Sequence, residues 1–336
     1  MIAPPPARRR PGRQKADTGN SMPAMPGATR ILKWKDGRRA VFMLEFDDSA
    51  PTQLEFVIPA LRNHGFPGTF YINPGNGPYK NHQSAWEQAA GYPGIELANH
   101  TYSHIGAPGL ADFEHEVSRA NDAIDLLYPQ RKRPRLRSWA RPGVPDDQWG
   151  IGEAEIRSVL ARHHLVERPP FCGPPFTLRT SGEMFALVDA AIAEGEMRHL
   201  VFHGVGGDWH STSLNDFLSL LDKLADCSGD LWLTDPLSWH KYEAERTTAT
   251  LDVIAATPSA LRLSLASSCD PYFYDQPLSL ATRVPLSWSC VSISRGKTRI
   301  VCQARNGKVC YEAVPGAGEI LLQPAPSPIR SMPPHP

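Results

Sequence analysis

The chain has 336 residues, 41% of them hydrophobic. That is enough for a domain of about 220 to 250 residues plus a smaller one. Lysine plus arginine and aspartate plus glutamate number 35 each, so the formal net charge is zero. No global field draws the chain to nucleic acid or to an anionic membrane surface. No apolar run approaches the roughly 18 to 20 residues of a membrane-spanning helix, so membrane insertion by that route is excluded.

Residues 1–30 are rich in Pro, Arg, Gly and Ala and read as a disordered tail without the apolar stretch of a secretory signal. Arg8, Arg9 and Arg10 would begin a twin-arginine signal only if a hydrophobic region followed, and none does. The sequence therefore reads as cytoplasmic. A secreted or periplasmic location stays open if the start is Met22 or Met25, or if an upstream signal is missing. Strand-like and helix-like segments then alternate, the pattern of an α/β domain with parallel strands. Residues 40–46 form the first strand, and Thr52 with Glu55 suggests a capping box for a helix carrying Leu54, Val57, Ile58 and Leu61. Pro59 inside that stripe predicts a kink or a late start. Strands follow at 68–72 and 95–98, then a helix over 112–128 with Phe113, Val117, Ala120, Ile124 and Leu127 on one face. Thr180 and Glu183 open another helix that stops near Gly195. A strand at 199–203, a helix through Leu214 to Leu224, a strand at 231–233 and a helix through Tyr242 complete the alternation.

Beyond about Thr250 the helical period gives way to short runs of Val, Ile, Leu, Ser and Thr separated by Pro and Gly, an all-β pattern. Asn306-Gly307 predicts a type I′ hairpin, with Gln303 opposite Cys310 and Cys302 opposite Tyr311. That register points the two cysteines to opposite faces and predicts no disulfide between them. The six cysteines contain no CxxC pair, which argues against a structural zinc ribbon. The organisation expected is a tail over 1–30, an α/β domain over 31–249, a β-rich domain over 250–324 and a second tail over 325–336.

Three polar groups sit where predicted strands end. The first strand runs into Asp47-Asp48, the third into His100-Thr101-Tyr102-Ser103-His104, and the run Leu200-Val201-Phe202 into His203. Strand ends are where parallel α/β folds place their active sites. Alone, the Asp pair could be a solvated turn capping a helix, and the histidines an unrelated surface or core pair. If the HxxxH stretch is a helical turn, both imidazoles share a face and can bind one cation. Three groups at three strand ends point to one site.

Over residues 33–242 the order of these motifs resembles the polysaccharide deacetylases of carbohydrate esterase family 4. The family's Thr-Phe-Asp-Asp-Gly is similar to Glu45-Phe46-Asp47-Asp48-Ser49, its His-Ser/Thr-x-x-His to His100 through His104, and its late Leu-x-His to Val201-Phe202-His203. The resemblance implies an irregular (β/α) barrel followed by a small β-sandwich. It also implies Asp47 as general base, Asp48, His100 and His104 as metal ligands, and His203 as general acid. Glu45 and Ser49 depart from the usual Thr and Gly, and no clear Asp-x-x-x-Trp motif is present. The arginine that the family sets against its catalytic Asp is best matched by Arg141 in Arg141-Pro142-Gly143, with Arg137 and Arg168 as rivals. One oxygen and two nitrogens suit zinc. The loop of Gly204 to His210 offers Trp209 and Asp208 to an acetylated carbohydrate, or is simply a loop with a partly buried Trp. Small non-peptide C–N substrates, or carbohydrate binding without catalysis, are the competing functions.

Overall fold

The structure is a computed structural model that describes residues 25–171 and 180–326. Strand β1 (Thr29–Ile31) precedes β2 (Ala40–Asp47), α1 (Ile58–His64), β3 (Gly68–Ile72), α2 (Gly77–Lys80), α3 (Gln83–Ala89), β4 (Ile95–Asn99) and α4 (Leu110–Leu127). Next come β5 (Arg137–Trp139), α5 (Glu153–Arg162), β6 (Leu165–Glu167), α6 (Ser181–Glu194), β7 (Met197–Phe202), α7 (Leu214–Asp226), β8 (Leu231–Leu233) and α8 (Pro236–Thr248). The remainder is β9 (Ala249–Ala256), β10 (Leu261–Ser267), β11 (Leu278–Arg283), β12 (Cys290–Arg295), β13 (Thr298–Gln303), β14 (Lys308–Ala313) and β15 (Ile320–Ala325). Among the described residues no helix is long and apolar enough to cross a membrane.

The α/β part is one curled parallel sheet in the order β6-β5-β4-β3-β2-β7, with β8 also on β2. Strand β2 pairs β7 along residues 41–46, so its other edge is shared, residues 40–42 going to β8 and residues 45–47 to β3. This curled half-barrel sheet matches the irregular (β/α) barrel expected, and every residue of β2 is buried, as for a strand covered on both faces. Its side chains alternate between two cores. Phe42, Leu44 and Phe46 pack with residues of α1, α6 and α7, including Leu61, Val188 and Phe217, and the Phe46 ring stacks on Phe70 at 4.7 Å and Phe202 at 5.4 Å. Val41 and Met43 face the other way, into a core shared with Trp232, Tyr242 and the C-terminal strands. Further along that second face stand Glu45 and Asp47.

The C-terminal strands make two antiparallel sheets, β13-β12-β15-β10-β9 and β1-β11-β14, which share this second core through Leu263, Leu280, Val291 and Tyr311. Because β1 pairs β11, ordered structure begins at or before Thr29, earlier than the tail boundary expected at residue 30, and β15 runs through Ala325. Residues 1–24 and 327–336 of the two expected tails, Met22 and Arg8 to Arg10 among them, lie outside the described residues.

Two local expectations change. Thr52 caps no helix: it is itself helical (φ −64°, ψ −18°), and its hydroxyl accepts from the Val205 N–H instead. The chain from Gln53 to Val57 is a π-helical turn that leads into Pro59, and this wider turn accommodates a residue without an N–H to give. The Thr180 capping box does form, its side chain accepting from Glu183 N, and α6 ends on left-handed Gly195. At Asn306-Gly307 both residues have positive φ and Arg305 exchanges two backbone bonds with Lys308, a type I′ turn. The strands then part. Strand β13 joins β12 and β14 joins β11, so Cys302 stands opposite Val291 and Cys310 opposite Ala281 rather than in the expected hairpin register. Splitting the hairpin between two packed sheets buries Val309, Tyr311 and Ala313, which an isolated ribbon cannot do.

Candidate functional site

Strand β2 delivers Asp47 and Asp48 by ending abruptly. Asp48 and Ser49 have φ of 70° and 56°, so the chain leaves the sheet through two consecutive left-handed residues, each costing roughly 1 to 2 kcal/mol for a non-glycine. Ser49 stands where the resembled motif has Gly. Its hydroxyl accepts the Asn73 N–H at 3.2 Å in a fully buried position, a bond that helps offset the strain.

The two imidazoles come from the loop after β4. That loop is not the helical turn expected, since Thr101 and His104 both have positive φ. It is tied down instead by polar side chains: Asn73 Nδ2 donates to the His100 and Thr101 carbonyls, Asn99 Oδ1 accepts from Thr101 N, and Glu116 takes the Ser103 N–H and hydroxyl. The result still brings the rings within 5.0 Å of each other. His100 Nδ1 lies 2.9 Å from the Ala140 carbonyl, which requires Nδ1 to carry the proton and leaves Nε2 with its lone pair facing the site.

Asp48 Oδ1 lies 3.4 Å from His100 Nε2 and 3.2 Å from His104 Nε2. It is buried and has no hydrogen-bond partner. Among the described residues Asp48, His100 and His104 form one group whose ligand atoms lie within 4.8 Å of one another and could hold a metal ion. An acceptor-only oxygen left unsatisfied between two imidazole nitrogens fits a cation. Electrostatics agree. Burial disfavours the imidazolium at His100, but Asp47 and Asp48 outweigh it and raise its proton affinity; the same negative field favours a metal. Burial and the neighbouring His100 lower the pKa of His104. Asp48 Oδ2 accepts the Trp209 indole N–H at 2.9 Å, which fixes the carboxylate plane.

Asp47 is clamped by a different arginine from the one expected. Arg168 Nη1 donates to Asp47 Oδ1 at 2.7 Å, while Arg141 pairs with Glu153 and lies over the Trp149 ring. Arg137 pairs with Asp125. Arg168 directly follows β6, and its own backbone N–H donates to the Trp139 carbonyl, so the sheet itself aims it. Burial opposes ionisation of Asp47, but Arg168, His100 and His203 outweigh it and hold the carboxyl below its ordinary range. Its Oδ2 lies 3.8 Å from His100 Nε2. His203 enters from the end of β7, with Nε2 3.6 Å from Asp48 Oδ2. Burial lowers its pKa although Asp47 and Asp48 pull the other way.

Residues 35–145, which carry Asp47, Asp48 and both loop histidines, match the family model for polysaccharide deacetylase. Over that segment the chain is similar to the polysaccharide deacetylase family. Solved structures similar to the chain include a family 4 carbohydrate esterase pseudoenzyme from Bacillus anthracis, at 14% identity over 57% of this chain and 63% of that one, TM-score 0.41. Others are a family 4 carbohydrate esterase from Streptomyces lividans in complex with acetate (22%, 58% and 91%, 0.41) and the peptidoglycan deacetylase PdaC from Bacillus subtilis (18%, 58% and 87%, 0.43). The chain spans just under two thirds of the Bacillus anthracis protein. No curated protein matches the chain.

Several residues of this site carried no signal of their own in the sequence. Glu45 sits two residues before Asp47 on the same face, shares a hydrogen bond with His199 Nδ1 at 2.8 Å and lies 3.7 Å from Arg168; strand alternation on β2 is the clue that could have found it. Gln53 Nε2 donates to the carbonyls of both Asp47 and His203, joining the ends of β2 and β7. The loop after His203 needs its first glycine: a Cβ on Gly204 would stand 1.9 Å from the Gly207 carbonyl oxygen. Trp209 reaches the site through its N–H, whereas Asp208, expected at the substrate, gives Oδ2 to the Thr52 N–H and fastens this loop to the start of the first helix.

Proposed function

We propose that the chain is a zinc-dependent deacetylase that releases acetate from N- or O-acetyl groups of a carbohydrate. The observation that carries this reading is the unsatisfied Asp48 Oδ1 between two imidazoles, directly beside an Asp47 carboxylate clamped by Arg168. Asp48, His100 and His104 would hold the metal, which when bound supplies Lewis acidity toward the acetyl carbonyl and toward a water. Asp47, ionised at neutral pH and engaged by Arg168 through Oδ1, accepts the water proton on Oδ2. His203 Nε2 protonates the departing sugar nitrogen or oxygen, and its lowered pKa makes the imidazolium a stronger acid for that task. The products are acetate and a deacetylated carbohydrate. We assign this chemistry to residues 31–249 and an accessory role to the β-rich residues 250–324. A carbohydrate-binding protein without catalysis would not need both Asp47 and His203.

The test is acetate release from a panel of N- and O-acetylated glycans. Chelation should abolish it and zinc should restore it, with one divalent ion per chain when loaded. Turnover that survives complete removal of metal would overturn the proposal. A second outcome follows from the loop: Gly204→Ala should shift Trp209 away from Asp48, lowering metal affinity about 10 to 100-fold, as loss of a ligand's outer hydrogen bond typically does. A metal titration giving unchanged affinity would show that Trp209 does not orient the ligand.

A further inference from the structure

A second cavity lies at the opposite end of β5 from Ala140, the residue whose carbonyl holds His100. It is a half-open pocket of about 230 Å³, lined by Arg131, Lys132, Arg135, Lys241 and the apolar walls of Leu136, Leu237, Tyr272 and Phe273. Cations slightly outnumber the carboxylates around it. Arg131, Arg133, Arg135, Arg137 and Lys241 ion-pair with Glu96, Asp125 and Asp275, Asp235 and Glu245 also act on Arg131 and Lys241, and Lys132 donates to the Tyr272 carbonyl and lies over its ring. Arg135 is 7% exposed, its Nε and Nη2 have no hydrogen-bond partner, and its nearest carboxylate oxygens stand at 3.4 and 3.7 Å. Burial and the neighbouring Arg137 and Arg131 lower its pKa, with Glu96 and Asp125 only partly compensating. Arg131 and Arg135 are both held over the Tyr128 ring, at 3.7 and 5.4 Å, so the cluster is built into the fold and does not dangle in solvent.

We propose that this cavity binds a small ring compound bearing a phosphate monoester. A surplus of cations around an under-paired buried guanidinium suits a dianion, and guanidinium groups match phosphate oxygens geometrically. The walls of Leu136, Leu237, Tyr272 and Phe273 and a volume of about 230 Å³ suit one ring. The site does not depend on the deacetylase reading, because it shares no residue with the metal group.

The test is calorimetric titration of the metal-loaded full chain with phenyl phosphate, glucose 6-phosphate, inorganic phosphate and benzoate. Expected is one-site binding of at least one of the two ring phosphates, an aryl or a sugar ring being distinguished by which binds, about tenfold or more tighter than inorganic phosphate or benzoate. Lys132→Glu reverses an exposed charge at the cavity and should weaken that binding about tenfold or more while acetate release is unchanged. Arg135→Gln, checked for an intact fold by circular dichroism, should abolish it. The proposal is overturned if neither ring phosphate binds at millimolar concentration or if Lys132→Glu binds as the parent does. It is equally overturned if binding disappears on chelation, which would place the phosphate on the metal.

Discussion

Asp48→Ala is expected to leave the protein without bound metal, while its neighbour Asp47→Asn keeps the metal and loses turnover. Asp48 offers the only carboxylate oxygen of the three-residue group, and that oxygen is buried with nothing else to bind. Alanine leaves two imidazoles and no anionic ligand, so metal affinity should fall by about 10²-fold or more, with activity following. Asp47 faces the same space but spends one oxygen on Arg168. Asparagine can still accept from that guanidinium through its carbonyl oxygen, yet it cannot take a proton, so kcat should fall by about 10² to 10⁴-fold at constant metal content. Metal analysis and kcat on both variants decide the matter. Equal metal loss in the two would mean that the adjacent carboxylates do not divide the work.

The second large effect concerns His203. A sugar amine or alkoxide leaves poorly without a proton, whereas an aryl acetate releases a stabilised phenolate. His203→Ala should therefore lower kcat/KM on the acetylated glycan by about 10² to 10⁴-fold and on the aryl ester far less. His203 also touches other parts of the site: its ring lies 5.2 Å from that of His210, and its carbonyl accepts from Gln53. If its contribution were only packing at the end of β7, both substrates would suffer alike. Equal losses in a variant that retains its metal would remove the acid role and leave the metal assignment standing.

What the sequence made legible were groups whose partners lie along one strand or its end. An apolar run stopping in Asp47-Asp48 or His203 is a local pattern, and the sheet brings those ends together because the strands are parallel. Partners chosen across the fold were not legible. Arg168 reaches Asp47 only because β6 lies beside β5, and nothing around Arg168 marks it above Arg141, which sits in the better sequence pattern but faces Glu153. Glu45 and His199 look like an unremarkable acid and base until the strand pairing sets them against each other. The HxxxH spacing suggested a helix, but Asn73, Asn99 and Glu116 offered the loop backbone better hydrogen bonds than a helical turn could. At Asn306-Gly307 the turn was local and readable; the choice of sheet on either side was not, since it depends on which faces find a core.

The floor under β2 is made largely by residues that come much later in the chain. Val41 and Met43, below Glu45 and Asp47 on one face of β2, share their core with strands from Leu261 to Leu322, and β1 is paired to β11. During synthesis β2 leaves the ribosome early, and its helix-facing side can be covered once α6 and α7 follow. Its inner side has only Trp34, Trp232 and Tyr242 for cover until the C-terminal strands have been made. Contacts of such long sequence separation fold slowly and leave apolar surface open in the meantime. The strand that carries the proposed base and metal ligand is thus translated well before the strands that dry its inner side.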